Sequence, residues 1–334
     1  MTSPTAVIGA GAWGTALAWL LSRKGEPVRL WAYEPDVAAG VNLHHENRRY
    51  LPGVALPENL QASSSIPEVL DGASALIFVV PSHVAAGIAA QIAPHLPPGI
   101  PIISATKGLE EKQLRPIATL LEDTLRPTAG AVFALSGPSF AVEVCRGLPT
   151  AIVLAGPSRP EAMDLQRLLM TPTFRVYLGA DRLGVELGGA LKNIMALAAG
   201  IADGLGLGHN TRAALITRGL AEMVRLGRAM GADPLTFTGL SGMGDLVLTC
   251  TGGLSRNRTV GFQLGEGRKL AEILAGTYTV AEGVNTARVA LALAERHQVE
   301  MPIVREVCAV LFNQKEPRRA VSELMERAAR HELD

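Results

Sequence analysis

Residues 5–34, "TAVIGAGAWGTALAWLLSRKGEPVRLWAYE", decide the fold of the first half of the chain. A short apolar strand runs into glycines, and the residues from Thr15 to Lys24 then have a helical composition. Gly25 ends that helix, and "PVRLWAY" predicts a second strand. A strand, a glycine-rich turn, a helix and a second strand in this order predict a dinucleotide-binding βαβ unit.

Three glycines and one acid give this unit its chemistry. Gly9, Gly11 and Gly14 form the spacing G-x-G-x-x-G, which allows a tight turn, close approach of a pyrophosphate to the helix N-terminus, and close packing of helix on strand. Glu34, about 20 residues further on, could accept hydrogen bonds from a ribose 2′-hydroxyl and would repel a 2′-phosphate. Glu34 could instead be a solvated loop charge, and Trp13 could be either a packing residue or a cofactor contact.

The same pattern continues through the first half of the chain and then stops. Further continuous apolar runs predict strands at residues 75–81, 100–108 and 131–139, and "TAIVLAG" and "FRVYLG" extend the series to about residue 179. Continuous hydrophobicity indicates strands buried on both faces, hence a mostly parallel sheet covered by helices. Beyond it, helices are predicted at residues 183–203, 211–230, 264–275, 286–298 and 303–312. We therefore expect a Rossmann-type doubly wound α/β domain at residues 1–180 and an all-helical domain at residues 181–334.

Composition narrows the functional classes. The 334 residues are 48% hydrophobic with a net charge of +0, which argues against a nucleic-acid-binding protein and against attraction to an anionic membrane. Cys145, Cys250 and Cys308 are too widely spaced for a disulfide framework or a zinc motif, and the histidines show no metal-ligand spacing. The apolar run from Val185 to Gly208 is interrupted by charges, as in a buried helix. We expect a cytoplasmic protein without a signal peptide, a membrane insertion or a catalytic metal.

Two lysines are candidates for binding or catalysis. Lys107 follows "PIISAT" at a predicted carboxyl end of a strand, where it could meet a phosphate or carboxylate, or it could be a surface lysine in a loop. Lys192 shares one helix face with Gly188 and Gly189, and Asn193 is its neighbour. Two glycines weaken a helix, which is understandable if a bound molecule must approach the backbone there. Alternatively, these glycines serve helix–helix packing and the lysine reaches the surface.

Several blocks of the sequence, in this order, carry a resemblance to a known family. They are "GAGAWGTALA", "SATKGLE", "LSGPSFAVEV", "GVELGGALKNIMALAAGIADGLGLG", "NTRAALITRGLAEM", "GLSGMGDLVLTCTGGLSRNRTVG" and "VAEGVNT". Together they span nearly the whole chain, which resembles NAD(P)-dependent glycerol-3-phosphate dehydrogenases of the bacterial type. The resemblance implies hydride transfer between NAD(P)H and dihydroxyacetone phosphate, giving sn-glycerol 3-phosphate for phospholipid synthesis, and often a homodimer.

The resemblance also implies residue roles, with Lys192 as the proton donor and acceptor. Family substrate contacts fall on Lys107, Gly137, Ser139, Asp245, Ser255, Arg256 and Asn257, and Asn193 and Thr249 are expected to help bind the substrate. Family cofactor contacts fall on Ala12, Trp13, Lys107, Ala141, Arg256, Val280 and Glu282. Nearby Lys107 and partial burial would both lower the pKa of Lys192 toward the working pH. Residues 239–258 would form a supple phosphate clamp, with Arg256 gripping the phosphate, on an apolar anchor.

The chain departs from the family at one point. Where many members carry His-Arg at the end of the second strand, this sequence has Tyr33 and Glu34, which favours NAD over NADP or the use of both. Two other functions remain open: a β-hydroxyacid or 6-phosphogluconate dehydrogenase relative that binds a carboxylate, and a dinucleotide-sensing module without turnover.

Overall fold

The computed structural model describes residues 3–126, 128–157, 159–275, 281–329 and 331–332. Within them, short strands form one large sheet and one small hairpin. The strands are β1 (Thr5–Ile8), β2 (Val28–Trp31), β3 (Leu60–Ser63), β4 (Ala75–Phe78), β5 (Ile102–Ser104), β6 (Leu109–Glu110), β7 (Arg115–Pro116), β8 (Val132–Ser136), β9 (Thr150–Ala155) and β10 (Phe174–Gly179).

The described residues place eight of these strands in one sheet, in the order β10-β9-β8-β5-β4-β1-β2-β3. Every neighbouring pair is parallel except β8 and β9, while β6 and β7 form the separate antiparallel hairpin. The predicted mostly parallel Rossmann-type sheet is confirmed. Because β1, β2, β5 and β8 run in the same direction, the segments that follow them lie at one edge of the sheet. That edge carries the glycine loop, Glu34, Lys107 and Gly137, and it is where open α/β sheets bind ligands.

Helices cover both faces of the sheet. They are α1 (Ala12–Arg23), α2 (Pro35–His44), α3 (Ile66–Leu70), α4 (Ala85–Ile92), α5 (Ile117–Leu125), α6 (Ala141–Cys145) and α7 (Arg159–Leu169). Residues of β1 alternate between two apolar layers: Val7 packs with α1, and Ala6 and Ile8 pack on the opposite face with α3 and α4. Burial on both faces explains why central strands such as β1 and β4 are apolar throughout.

The remaining described chain is helical. Its α-helices are α8 (Arg182–Gly204), α9 (Gly208–Ala229), α10 (Asp245–Thr251), α11 (Arg256–Gly265), α12 (Leu270–Ala275), α13 (Glu282–Arg296), α14 (Pro302–Phe312) and α15 (Pro317–Met325). The all-helical second half is thus confirmed, but the single helix expected at residues 264–275 is wrong. Its chain leaves the helical path after α11, where Gly267 has φ +92°, and α12 begins only at Leu270.

Two compact units share these elements. One comprises residues 1–189 and 232–245, and the other residues 190–231 and 246–334, so the division falls within α8 and α10. The domain boundary predicted at residues 180 and 181 lies directly before α8, and it stays a prediction. Among the described helices, α8 is long and apolar enough to cross a membrane, yet its apolar stretch is buried inside the protein.

In the second unit, α8 and α11 approach very closely. A Cβ at Gly200 would lie 2.1 Å from the backbone oxygen of Arg258, and one at Gly261 would lie 2.1 Å from that of Leu197. No larger residue fits at either contact, because non-bonded carbon and oxygen atoms do not approach within that distance. These contacts fix the start of α11 against the face of α8.

Candidate active site

The glycine loop fits a dinucleotide. A Cβ at Gly14 would lie 1.8 Å from the backbone oxygen of Gly9, so the third glycine is required for packing between the loop and α1, as predicted. At Gly11 nothing lies within 4 Å of the Cβ position, which leaves room above the start of α1. The free N–H groups of a first helical turn suit a pyrophosphate at this position. Trp13 Nε1 is buried without a hydrogen-bond partner among the described residues, a donor that a ligand could satisfy.

Glu34 is held in a cluster at the end of β2. The Tyr50 hydroxyl donates a 2.6 Å hydrogen bond to Glu34 Oε1, and Arg49 Nη2 lies 3.7 Å from the same oxygen. Burial, together with this hydrogen bond, raises the pKa of Tyr50 to about 12. The alternative of a solvated loop charge is therefore wrong. Neighbouring Tyr33 is 75% exposed and meets Trp31 edge-on.

Lys107 is the centre of a polar cluster rather than a surface residue. Its Nζ donates to the Gly137 backbone oxygen (2.8 Å), Ser139 Oγ (3.2 Å) and Asp245 Oδ2 (2.8 Å). Asp245 is 1% exposed, and the Lys107 side chain is 17% exposed. The ammonium also lies 5.9 Å from the centre of the Trp13 ring, which connects the cluster with the glycine loop. Four of the predicted site residues therefore lie around Lys107, although they are distant from it in the sequence: Trp13, Gly137, Ser139 and Asp245.

Backbone geometry makes Gly137 irreplaceable in this cluster. It has φ +144°, and a Cβ there would lie 2.9 Å from Ile152 Cα. The turn brings the Gly137 carbonyl to Lys107 and leads through Ser139 to Ala141, the first residue of α6.

Lys192 occupies a buried polar position in the second unit. Lys192 is 5% exposed, and its Nζ donates a 2.6 Å hydrogen bond to Oγ1 of Thr249, which is 3% exposed. The alternative in which Lys192 reaches the surface is wrong. Beside it, the Asn257 amide donates to Asn193 Oδ1 (2.9 Å), and its oxygen accepts from Gly283 N (2.9 Å). Asn257 thereby ties the starts of α11 and α13 to α8.

The glycines next to Lys192 serve protein packing, which corrects their interpretation as a gap for a bound molecule. A Cβ at Gly188 would lie 2.5 Å from the Ser241 backbone oxygen, within the π-helical turn Leu240–Gly244. A Cβ at Gly189 would lie 2.4 Å from Ser136 Oγ. The close approach inferred from the sequence is real, but a neighbouring backbone and a serine make it.

The segment of residues 239–258 is mostly helical rather than a supple loop. Ser255 is the N-cap of α11 and accepts a 3.2 Å hydrogen bond from Arg258 N, while Arg256 is the exposed first residue of that helix. Although the Arg256 side chain is exposed, the protein around it displaces part of its hydration and so lowers the pKa of the guanidinium. The charge of Glu282, the first residue of α13, acts in the opposite direction and raises that pKa. A guanidinium at a helix N-terminus attracts anions, because the helix dipole and the charge act together.

The remaining residues singled out in the sequence add no further polar group to the site. Cys250 is fully buried in α10, as expected for a small packing residue. Val280 lies outside the described residues. Among the residues that the structure describes, no group of three or more His, Cys, Asp or Glu side chains is arranged to hold a metal ion.

Comparisons with known proteins agree over nearly the whole chain. Residues 4–162 match the family model of the NAD-dependent glycerol-3-phosphate dehydrogenase N-terminus, and residues 181–322 that of its C-terminus. The glycerol-3-phosphate dehydrogenase [NAD(P)+] of Geobacter metallireducens is 55% identical over 96% of both chains, and that of Geobacter sulfurreducens 54% over 98% of both. The crystal structure of glycerol-3-phosphate dehydrogenase from Coxiella burnetii is similar with a TM-score of 0.94, at 43% identity, over 98% of this chain and 99% of that one.

Proposed function

The chain belongs to the NAD-dependent glycerol-3-phosphate dehydrogenase family, and from this premise we propose how its own residues perform the reaction. The protein interconverts dihydroxyacetone phosphate and sn-glycerol 3-phosphate with NAD(P)H, and the product supplies phospholipid synthesis. The observation that carries this function is the match of both family models, in order, along one chain.

Lys192 is the proposed proton donor to the substrate oxygen. The nicotinamide, when bound, supplies the hydride to C2 of the ketone. The oxygen that was the carbonyl oxygen then takes a proton from the Lys192 ammonium, which becomes a neutral amine and regains its proton from solvent. In the reverse direction the neutral amine accepts the hydroxyl proton. The contact with Thr249 supports this role, because a 2.6 Å hydrogen bond fixes the direction of a flexible side chain.

Lys107 is proposed to contact both the substrate and the cofactor. Its three hydrogen-bonded neighbours hold the Lys107 side chain in place. Both lysines take a partner from α10, since Asp245 accepts from Lys107 and Thr249 accepts from Lys192. We propose that α10 fixes the position of each of these two ammonium groups.

The start of α11 is proposed to bind the substrate phosphate. Arg256 offers a planar set of donors that matches a phosphate, and the first turn of the helix adds backbone N–H groups. Ser255 Oγ accepts a hydrogen bond from Arg258 N through one of its lone pairs, so its hydroxyl proton can be donated to the phosphate. The Asn257 amide has one hydrogen beyond its bond to Asn193 among the described residues, and it can donate that hydrogen to the ligand.

NADH is the proposed preferred cofactor, with NADPH also accepted. The Glu34 carboxylate, held by Tyr50 and Arg49 through Oε1, can accept a hydrogen bond from a ribose 2′-hydroxyl. Its charge disfavours a 2′-phosphate. The double substitution Tyr33→Arg with Glu34→Ser should shift the preference toward NADPH, and an unchanged preference would contradict this role of Glu34.

NADH oxidation with dihydroxyacetone phosphate tests the proposed function, and Arg256→Ala tests the phosphate site. Loss of a charge-assisted contact costs about 1.5–3 kcal/mol of binding free energy. The KM for dihydroxyacetone phosphate should therefore rise about 10- to 100-fold, with kcat less affected. Arg268→Ala is the matched control, since Arg268 follows α11 and bonds to Gln263. No oxidation of NADH by the unmodified protein would overturn the function, and an equal KM in both variants would overturn the phosphate site. The carboxylate-binding and sensing alternatives predict no turnover of this substrate.

The protein is further proposed to act as a homodimer in the cytoplasm. The family resemblance supports the dimer, and the three cysteines, which are free thiols, suit a reducing compartment. Light scattering on the purified protein should give twice the chain mass of 35.1 kDa, and a mass of one chain would contradict the dimer.

A further inference from the structure

We propose that Arg49 binds the 2′-phosphate of NADP(H) and so supplies the cation that the end of β2 lacks in this chain. The inference rests on the proposed function, because it assigns a specificity residue to the same dinucleotide site. It concerns the Glu34–Arg49–Tyr50 cluster, in which Arg49 is 15 positions from Glu34 in sequence but adjacent to it in space.

The position of Arg49 suits a phosphate on the ribose. Its Nη2 lies 3.7 Å from Glu34 Oε1, and its guanidinium carbon lies 5.5 Å from the centre of the Tyr50 ring. Glu34 is the residue proposed to accept the ribose 2′-hydroxyl, so a phosphate on that hydroxyl would be within reach of the guanidinium. The planar guanidinium can form two parallel hydrogen bonds to a phosphate, a geometry that a carboxylate or phosphate group matches.

The segment that carries Arg49 is anchored to the glycine loop. Asn47 is 1% exposed, and its Nδ2 donates to the Ala10 backbone oxygen (2.8 Å) and to Thr15 Oγ1 (2.9 Å). Its Oδ1 accepts a 3.1 Å hydrogen bond from Tyr50 N. One buried amide therefore fixes residues 47–50 relative to the loop expected to hold the pyrophosphate. Arg49 is built into the dinucleotide site rather than lying near it as a chance surface charge.

The cluster can serve both forms of the cofactor. Tyr50 keeps its proton at neutral pH, because burial and Glu34 raise its pKa to about 12, so it remains a donor to Glu34. This hydrogen bond and the Arg49 charge together reduce the repulsion between Glu34 and a 2′-phosphate. With NADH, Glu34 Oε2 accepts the ribose hydroxyl. With NADPH, Arg49 turns from Glu34 to the phosphate, and Tyr50 continues to hold Glu34.

Binding measurements with the full-length protein test the proposal without turnover. Arg49→Ala should weaken NADPH and 2′,5′-ADP by about 10- to 100-fold, while NADH and 5′-AMP change by less than about 3-fold. Arg48→Ala is the matched control: Arg48 is the preceding residue, its side chain is 74% exposed, and it pairs with Glu46 instead. This control should leave all four ligands unchanged.

Two results would overturn the proposal. Equal losses for NADPH and NADH would make Arg49 a general positioning residue, and unchanged NADPH binding would place the phosphate elsewhere. If Arg49→Ala does not fold, Arg49→Lys decides, because it retains the charge but loses the planar pair of donors and should still weaken NADPH more than NADH. NADH oxidation by the unmodified protein separates the two levels: its absence overturns the function, and its presence with an unchanged NADPH-to-NADH ratio in the Arg49 variants overturns only this inference.

Discussion

Replacing Thr249 with valine should slow turnover sharply and leave NADH binding intact. Valine has nearly the shape of threonine, so Thr249→Val removes chiefly the hydroxyl oxygen that lies 2.6 Å from Lys192 Nζ. A hydrogen bond to a charged group contributes about 1.5–3 kcal/mol, and 1.36 kcal/mol off the barrier is tenfold in rate. If Thr249 orients the Lys192 ammonium, kcat should therefore fall about 10- to 100-fold.

The assay is steady-state NADH oxidation at saturating dihydroxyacetone phosphate, measured from pH 6 to about pH 9 to follow the acid group. Thr249→Ser is the matched control, because it keeps the hydroxyl and should retain kcat within about 3-fold. Two outcomes would refute the reasoning: a valine variant as fast as the unmodified protein, or a serine variant that is as slow as the valine variant.

Two further predictions concern the fold. Gly14→Ala should prevent folding or destabilise the protein by more than ~3 kcal/mol, because the new Cβ would lie 1.8 Å from the Gly9 oxygen. Gly11→Ala should fold normally, because nothing lies within 4 Å of its Cβ position, but it should weaken NADH binding. Circular dichroism measures the folding of both variants, and NADH fluorescence measures the binding. Burial raises the pKa of Glu222 to about 7, so the folded protein holds a proton that the unfolded chain releases near pH 4.3. Stability in urea should therefore fall as the pH rises from 5 to 7.5, with Glu222 contributing up to about 3 kcal/mol. Glu222→Gln should remove this part of the slope and leave the part due to Glu186, whose pKa burial also raises to about 7. A slope unchanged by this substitution would contradict the assignment.

The central strands could be predicted because burial on both faces leaves a continuous apolar run. β3 could not, since it lies at the sheet edge and alternates buried and exposed residues over four positions. The antiparallel pairing of β9 with β8 was also beyond the pattern, because an apolar run carries no information on strand direction.

Whether a site residue could be predicted depended on how far its partner lies along the sequence. Gly9 and Gly14 lie five positions apart, so their spacing, together with the strand before them and the helix after them, predicted their roles. Lys107 and Asp245 are 138 positions apart, and only the family resemblance placed both in one site. Arg49 was missed because nothing in its local sequence distinguishes it from the adjacent Arg48.

Two local interpretations failed for the same reason. Gly188 and Gly189 indicated a close approach to α8, but the sequence does not identify what approaches. The glycines of residues 239–258 suggested flexibility, whereas the chain there forms a π-helical turn followed by α10 and the start of α11. Glycine marks a tight contact as readily as a mobile segment, and only the neighbouring chain distinguishes the two.

Lys192→Met tests the central proposal most directly, because methionine has a similar length but carries no proton to give. Turnover of dihydroxyacetone phosphate with NADH should fall by about 10²- to 10⁴-fold, while NADH binding measured by fluorescence stays unchanged. A methionine variant that folds, binds NADH and keeps more than about a tenth of the original kcat would show that another group protonates the substrate oxygen.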